Sequence, residues 1–198
     1  QTFFGVGLMF KRVFSVVFLT TFLATAQAES LAPIQVLLTT DSGDIRLELY
    51  PDKAPKTVEN FVNYVQNKYY DGLIFHRVIQ GFMIQAGGYT SDLVMREPSG
   101  STIINESSNG LKNEKGTIAM ARQTDPNSAK AQFFINVVPN WSLNARNNQP
   151  GYTVFGKVIQ GANVADKISR VYTKAVGPFA NLPETSIRII KAEVVDSK

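Results

Sequence analysis

Arg77, Gln85 and Gln132 are the residues whose types and spacing could do chemistry. They fall in two dense runs, Phe75 to Gly88 (FHRVIQGFMIQAGG) and Ala131 to Asn136 (AQFFIN). If the first run begins as a strand, alternation puts Arg77 on one face with Phe75 and Ile79 and sends His76 to the other with Val78. After a kink at Gly81, Met83 and Gln85 share a face. In the second run Gln132 and Phe134 go together, while Phe133 and Ile135 turn the other way. One surface then combines an arginine, two glutamines and several large apolar groups, which is a permanently charged hydrogen-bond donor beside an apolar socket.

Other chemistries are excluded by what the chain lacks. It has no cysteine and one histidine, so disulfides, thiolate nucleophiles, cysteine-ligated metals and multi-histidine metal sites are ruled out. His76 as a general base needs a hydroxyl or water partner and an orienting acid, yet alternation points it away from Arg77. It reads as a packed, hydrogen-bonded histidine. Asp125-Pro126-Asn127-Ser128 reads as a turn, since a calcium loop needs more acidic ligands at alternating positions. No metal and no cofactor are expected.

The elements that must position these groups come from a 198-residue chain, 44% hydrophobic and 18% charged, with 14 Gly and 9 Pro, which describes a turn-rich globular protein. Met9 to Arg12, the uncharged run Val13 to Leu23 and the small residues of Ala24 to Ala28 form the three-part pattern of a secretory signal. The expectation is a signal region over residues 1–28, with a start at Met9 and cleavage after Ala28, then one domain over 29–198 in the periplasm. The apolar run is too short for the ~20 residues of a spanning helix. Without Lys11 and Arg12 the chain keeps 18 of its 20 basic residues against 16 acidic ones, a net charge of +2 in place of +4. No dense basic run marks a nucleic-acid or anionic-membrane surface, so neither partner is expected.

In the mature part, Ile34 to Thr40 and Ile45 to Tyr50 read as strands around a turn at Asp41 to Asp44. Pro55 opens a helix with an apolar stripe at Val58, Phe61, Val62, Val65 and Tyr69, and Asp71-Gly72 supplies its stop. Strands are expected at Leu73 to Ile79, Phe82 to Gln85, Thr117 to Ala121, Phe133 to Val138, Tyr152 to Val158 and Ser186 to Val195, with a short helix over Ala162 to Ser169. Many short strands with one early and one late helix predict a mainly β fold, a closed antiparallel barrel with helical plugs. Gly87 to Gly116 and Gln123 to Ala131 read as long irregular loops, which in a compact domain are more often functional than idle.

Four blocks, FHRVIQGFMIQAGG, GTIAMAR, QFFIN and YTVFGKV, occur in one order. On them the sequence resembles the cyclophilin-type peptidyl-prolyl cis-trans isomerases, most closely their exported bacterial branch, from about Ile34 to Val195. The resemblance implies an eight-stranded barrel closed by two helices, with proline-containing peptides of folding proteins bound in an outer groove by a monomer. It assigns Arg77 as the catalytic arginine and Gln85 as its supporting glutamine. Phe82, Met83, Phe134 and Leu143 match the pocket for the proline ring, and Ala121, Arg122 and Gln132 the neighbouring peptide groove. Tyr152 stands where many cytosolic eukaryotic members have histidine. Arg122 replaces a common asparagine at a position that binds substrate through its backbone. The family's pocket tryptophan or phenylalanine falls on Ser142, one place after Trp141, so either the loop shifts and Trp141 fills the site or the pocket wall is thinner.

The reaction suits such a surface. Rotation about a prolyl bond loses amide resonance and returns a lone pair to the proline nitrogen, and a guanidinium can donate to that lone pair mainly in the transition state. A chaperone that holds proline segments without turning them, and a hydrolase using His76, are the alternatives from other classes.

Overall fold

The computed structural model describes residues 1, 2 and 31–196; apart from residues 1 and 2, the expected signal region lies outside them. In the first hairpin, strands β1 (Ile34–Thr40) and β2 (Gly43–Leu49) alternate buried and half-buried residues as a one-sided sheet requires. Thr40 closes the turn through its hydroxyl, which donates to the Gly43 carbonyl at 2.6 Å. Gly43 has φ +127°, and a Cβ there would meet the Val164 side chain at 2.9 Å, so only glycine lets the hairpin close against the second helix.

Helix α1 (Pro55–Gln66) starts on a proline and has no side-chain cap from its own N-terminal residue. A remote carboxylate serves instead. Glu106 accepts from the Lys56 and Thr57 backbone N–H groups at 3.1 and 2.9 Å and from the Thr57 hydroxyl at 2.7 Å, satisfying orphan donors and meeting the helix dipole. The helix ends before the expected Asp71-Gly72 stop. Lys68 is left-handed at φ +55°, with Tyr69 N–H bonded to the Tyr64 carbonyl and Lys68 N–H to that of Val65. Tyr64 and not Tyr69 therefore completes the buried helical stripe.

The remaining elements are β3 (Arg77–Ile79), β4 (Met83–Ala86), β5 (Thr117–Met120), β6 (Phe133–Asn136), β7 (Val154–Gln160), α2 (Ala162–Ser169), β8 (Thr173–Val176), β9 (Phe179–Pro183) and β10 (Ile189–Val195). Eight strands form one sheet in the order β10-β1-β2-β7-β5-β6-β4-β3, every pair antiparallel. A mainly β fold with two helices was expected. The ladder, however, is open where a closed barrel was expected, because β3 is three residues long and does not pair with β10. The chain before β3 bonds to the start of β10 and the residues just ahead of it across the gap: Gly72 N–H donates to the Ile189 carbonyl, Ile189 N–H to that of Leu73, and Phe75 N–H to that of Ile187, at 2.7, 2.8 and 2.9 Å.

The inner face of the sheet and both helices share one apolar core. Phe61 of α1 reaches its centre, with ring centroids 5.1 Å from Tyr70, 5.4 Å from Phe133 and 5.2 Å from Phe155. Strands β8 and β9 make a separate hairpin that the sequence reading did not anticipate. Its signal was the Gly177-Pro178 turn, where Gly177 has φ +54°.

Candidate active site

Sheet register builds the site. Arg77 on β3 is the direct partner of Gln85 on β4, Gln85 of Phe134 on β6, Phe134 of Ala119 on β5, and Ala119 of Val154 on β7. Cross-strand partners point to the same face, so these five side chains form one row on the face opposite the core. The next row, Ile79, Met83 and Asn136, runs beside it. Along each strand the alternate residues Val78, Ile84, Ile135 and Ile118 go into the core.

A second apolar cluster sits on this outer face. Met83, Ala119, Phe134 and Val154 are buried at its floor, with Ile79, Phe82, Leu111, Ala121, Leu143 and Tyr152 packed around them. Beside it lies a cleft of about 370 Å³ whose lining includes Gln85, Ala121, Arg122 and Gln132. Ala121 belongs to both. Arg77 is exposed at the end of the row, and among the described residues its side chain has no hydrogen-bond or ion-pair partner.

A family model described as cyclophilin type peptidyl-prolyl cis-trans isomerase/CLD matches residues 35–194. The chain belongs to this family. It is similar to the peptidyl-prolyl cis-trans isomerase A of Dickeya dadantii, with 46% identity over 190 residues covering 94% of this chain and 99% of that one. Isomerase B of Escherichia coli is 46% identical over 76% of this chain and 93% of its own length. Among solved structures, a cyclophilin type isomerase of Cryptosporidium parvum superposes with TM-score 0.71 at 26% identity, covering 84% of this chain and 99% of that one. A second structure of that isomerase, in the presence of the dipeptide Ala-Pro, gives 0.69. This chain is thus a cyclophilin-type peptidyl-prolyl cis-trans isomerase.

Within this candidate site, Gln85 does not bond to Arg77. Its amide donates to Gln132 Oε1 at 2.9 Å. Gln132 lies flat on Gly88, where a Cβ would come within 2.6 Å of the Gln132 Nε2. Arg122 turns inward: its Nε donates to the Gly151 carbonyl at 3.2 Å, its Nη2 to that of Pro150 at 3.0 Å and its Nη1 to that of Gln123 at 2.8 Å. Its guanidinium also stands 4.6 Å from the Tyr152 ring centroid, so it braces the loop that delivers Tyr152.

Trp141 is 49% exposed and lies outside the cyclophilin's apolar cluster, whereas Leu143, two residues on, is packed into it. Ser142 is exposed. The wall at this corner is Leu143, held by its carbonyl, which accepts from Tyr152 N–H at 2.9 Å. Gly151 permits that contact: any Cβ there would collide with the Leu143 carbonyl oxygen and the Ala145 nitrogen.

Phe75 departs from the expected alternation because the pleat begins only at Arg77, whereas His76 is packed as expected. Phe75 is in the core, not on the arginine face. His76 is 5% exposed and packs edge-on to Tyr89 at 4.8 Å and Phe179 at 6.4 Å. Its Nδ1 is buried without a hydrogen-bond partner. Burial pushes its pKa down to about 4; the Ile74 carbonyl and Gln132 oppose that shift, and Arg77 adds slightly to it. Ile79, Ala119, Val154 and Leu111 are apolar site residues that the sequence reading did not assign. Alternation with Arg77 marks Ile79. Ala119 and Val154 need the strand register, and Leu111 arrives from a loop with no periodicity.

Proposed function

We propose that this isomerase accelerates rotation about X-Pro bonds in proteins folding outside the cytoplasm, with Arg77 as the catalytic residue. The observation that carries the reading is an unpaired guanidinium at the end of a row that runs directly into the apolar cluster. Met83, Phe82, Phe134 and Leu143 hold the proline ring. The chain on either side of the proline lies along Ala121, Arg122, Gln132 and Tyr152. As the imide twists, Arg77 donates a hydrogen bond to the proline nitrogen, an interaction absent from the planar ground state.

Magnitudes show why one contact cannot suffice. Uncatalysed isomerisation takes ~10–100 s over a barrier of ~18–20 kcal/mol. Reaching about a millisecond needs roughly 7 kcal/mol at 1.36 kcal/mol per decade. A charge-assisted hydrogen bond supplies about 1.5–3 kcal/mol. The remainder comes from holding the ring still while the preceding carbonyl turns. No covalent bond breaks, so the step needs no nucleophile and leaves His76 without a chemical role.

The periplasmic destination is supported by the Met9 to Ala28 pattern and by the bacterial relatives. N-terminal sequencing of the protein recovered from a periplasmic fraction should begin at Glu29. For the activity, NMR exchange on a short X-Pro peptide with wild type and Arg77→Ala is decisive. Comparable peptide affinity with exchange lost supports catalysis. Wild-type protein that binds the peptide without speeding its exchange makes this chain a proline-binding chaperone instead.

A further inference from the structure

Half of the apolar cluster stands on strands, but Leu111 and Tyr152 come from irregular chain and Leu143 from a short 3-10 turn (Trp141–Leu143), none of them fixed by a ladder. What holds them is a set of asparagines. Asn136 faces outward on β6 opposite Met83, immediately beside the cluster, and is 1% exposed. Its Nδ2 donates to Asn113 Oδ1 at 3.1 Å and to the Thr117 hydroxyl at 2.9 Å, and its Oδ1 accepts from Asn140 Nδ2 at 2.6 Å. Asn140 Nδ2 also donates to the Phe82 carbonyl at 2.9 Å, and the Asn140 carbonyl accepts from Leu143 N–H at 3.0 Å. Asn113 donates through its backbone N–H and its Nδ2 to Asn144 Oδ1, at 2.8 and 3.1 Å. Asn144 follows Leu143 directly. The chain at Phe82, just before β4, and the loop wall at Leu143 are thus joined through Asn140, which Asn136 ties to β6, and Asn113 gives Asn136 a second route to the loop at Asn144.

We propose that Asn136 is a positioning residue that sets the width of the proline pocket and so its selectivity for a five-membered ring. It touches no reacting atom. Every polar atom of its amide is used, in a buried network where satisfied bonds rigidify and a half-broken network fails as a unit. Replacing the amide frees the loop wall while the strand wall, set by the ladder, stays. The consequence is a looser grip on the ring with Arg77 left in place. This inference rests on reading the cluster as the proline site.

The test compares Asn136→Asp, which keeps the shape but loses the Nδ2 donor, and Asn140→Ser with wild type. Substrates are X-Pro peptides and the same peptides carrying the six-membered pipecolic acid in place of proline. The expected result is KM for proline raised about tenfold, the loss of one buried hydrogen bond, with kcat within a factor of about two and the preference for proline over pipecolic acid reduced. Unchanged KM and unchanged ring preference in folded variants overturn the proposal, as does a fall in kcat at constant KM. Should neither variant fold, the wild-type side-chain amide signals decide: those of Asn136 and Asn140 must shift on titration with the X-Pro peptide, and their failure to move refutes it. Loss of exchange in Arg77→Ala alongside unaltered asparagine variants would leave the site reading standing and remove only this one.

Discussion

Arg77 and Gln85 are paired across the β3–β4 ladder, yet the Gln85 amide donates to Gln132 at 2.9 Å and not to the guanidinium. Arg77 is therefore positioned by the β3 backbone and not by Gln85, while the two glutamines hold each other. Under the proposed mechanism, a substrate imide nitrogen meets a guanidinium with no side-chain partner among the described residues, so no existing ion pair has to be broken before the transition state is reached.

The glutamine pair should behave as one unit. Gln85→Ala and Gln132→Ala are each expected to lower kcat/KM by about tenfold, and the double variant by much less than the product, since either change alone breaks the shared hydrogen bond. Exchange kinetics on one peptide measure all three. Fully multiplicative losses would mean that the two side chains act independently.

Glu106 ties the long 87–116 loop to the start of α1. Glu106→Ala leaves two backbone N–H groups and the Thr57 hydroxyl without their acceptor, Thr57 being fully buried. The expected cost is about 2 kcal/mol of unfolding free energy, or roughly 6 °C in Tm for a domain of this size. Urea denaturation should show it as a lower midpoint with an unchanged slope, and kcat/KM at 25 °C should change little. A variant as stable as wild type would show that water satisfies the helix end equally well.

Sequence periodicity served where both faces of an element had distinct fates. The β1–β2 hairpin, α2 and the rows through Arg77, Met83 and Phe134 follow from alternation or helical spacing, and six expected groove residues meet in one apolar cluster. Phe75 lies in the core and not beside Arg77, because alternation does not extend into chain that is not yet strand. The end of α1 was misplaced because Lys68 takes a left-handed conformation usual for glycine. Leu111, the open seam beside β3 and the asparagine network depend on contacts between segments far apart in sequence, which no local pattern encodes.

Gly151 separates the pocket wall from the loop behind it. Gly151→Ala places a Cβ against the backbone of Leu143 and Ala145, atoms that cannot rotate away. Tyr152 and Leu143 must then part, breaking their 2.9 Å hydrogen bond. KM for an X-Pro peptide is expected to rise at least tenfold, a hydrogen bond and part of the apolar contact being lost together. Tm should fall by only a few degrees, because the loop lies outside the main core. Unaltered peptide affinity would place the ring away from this wall.

His76 gives the isomerase a pH dependence in stability that its chemistry does not require. Burial holds the folded-state pKa near 4, against an ordinary value of 6.5. Between these values the unfolded chain binds a proton that the folded one refuses, so stability rises with pH across this window. It is fully present above pH 6.5 and declines as pH falls toward 4, by about 3 kcal/mol in all at 1.36 kcal/mol per unit. Asp41, whose pKa the Arg188 side chain lowers through a hydrogen bond, acts in a different range: its contribution is present above 3.8 and is lost only below that. His76 is the one histidine in the chain, so a replacement isolates the effect. Urea unfolding at pH 7.0, 5.5 and 4.5 should show wild type losing stability steadily and His76→Gln losing markedly less. Parallel losses in the two proteins would mean that the buried imidazole takes up its proton without leaving the fold.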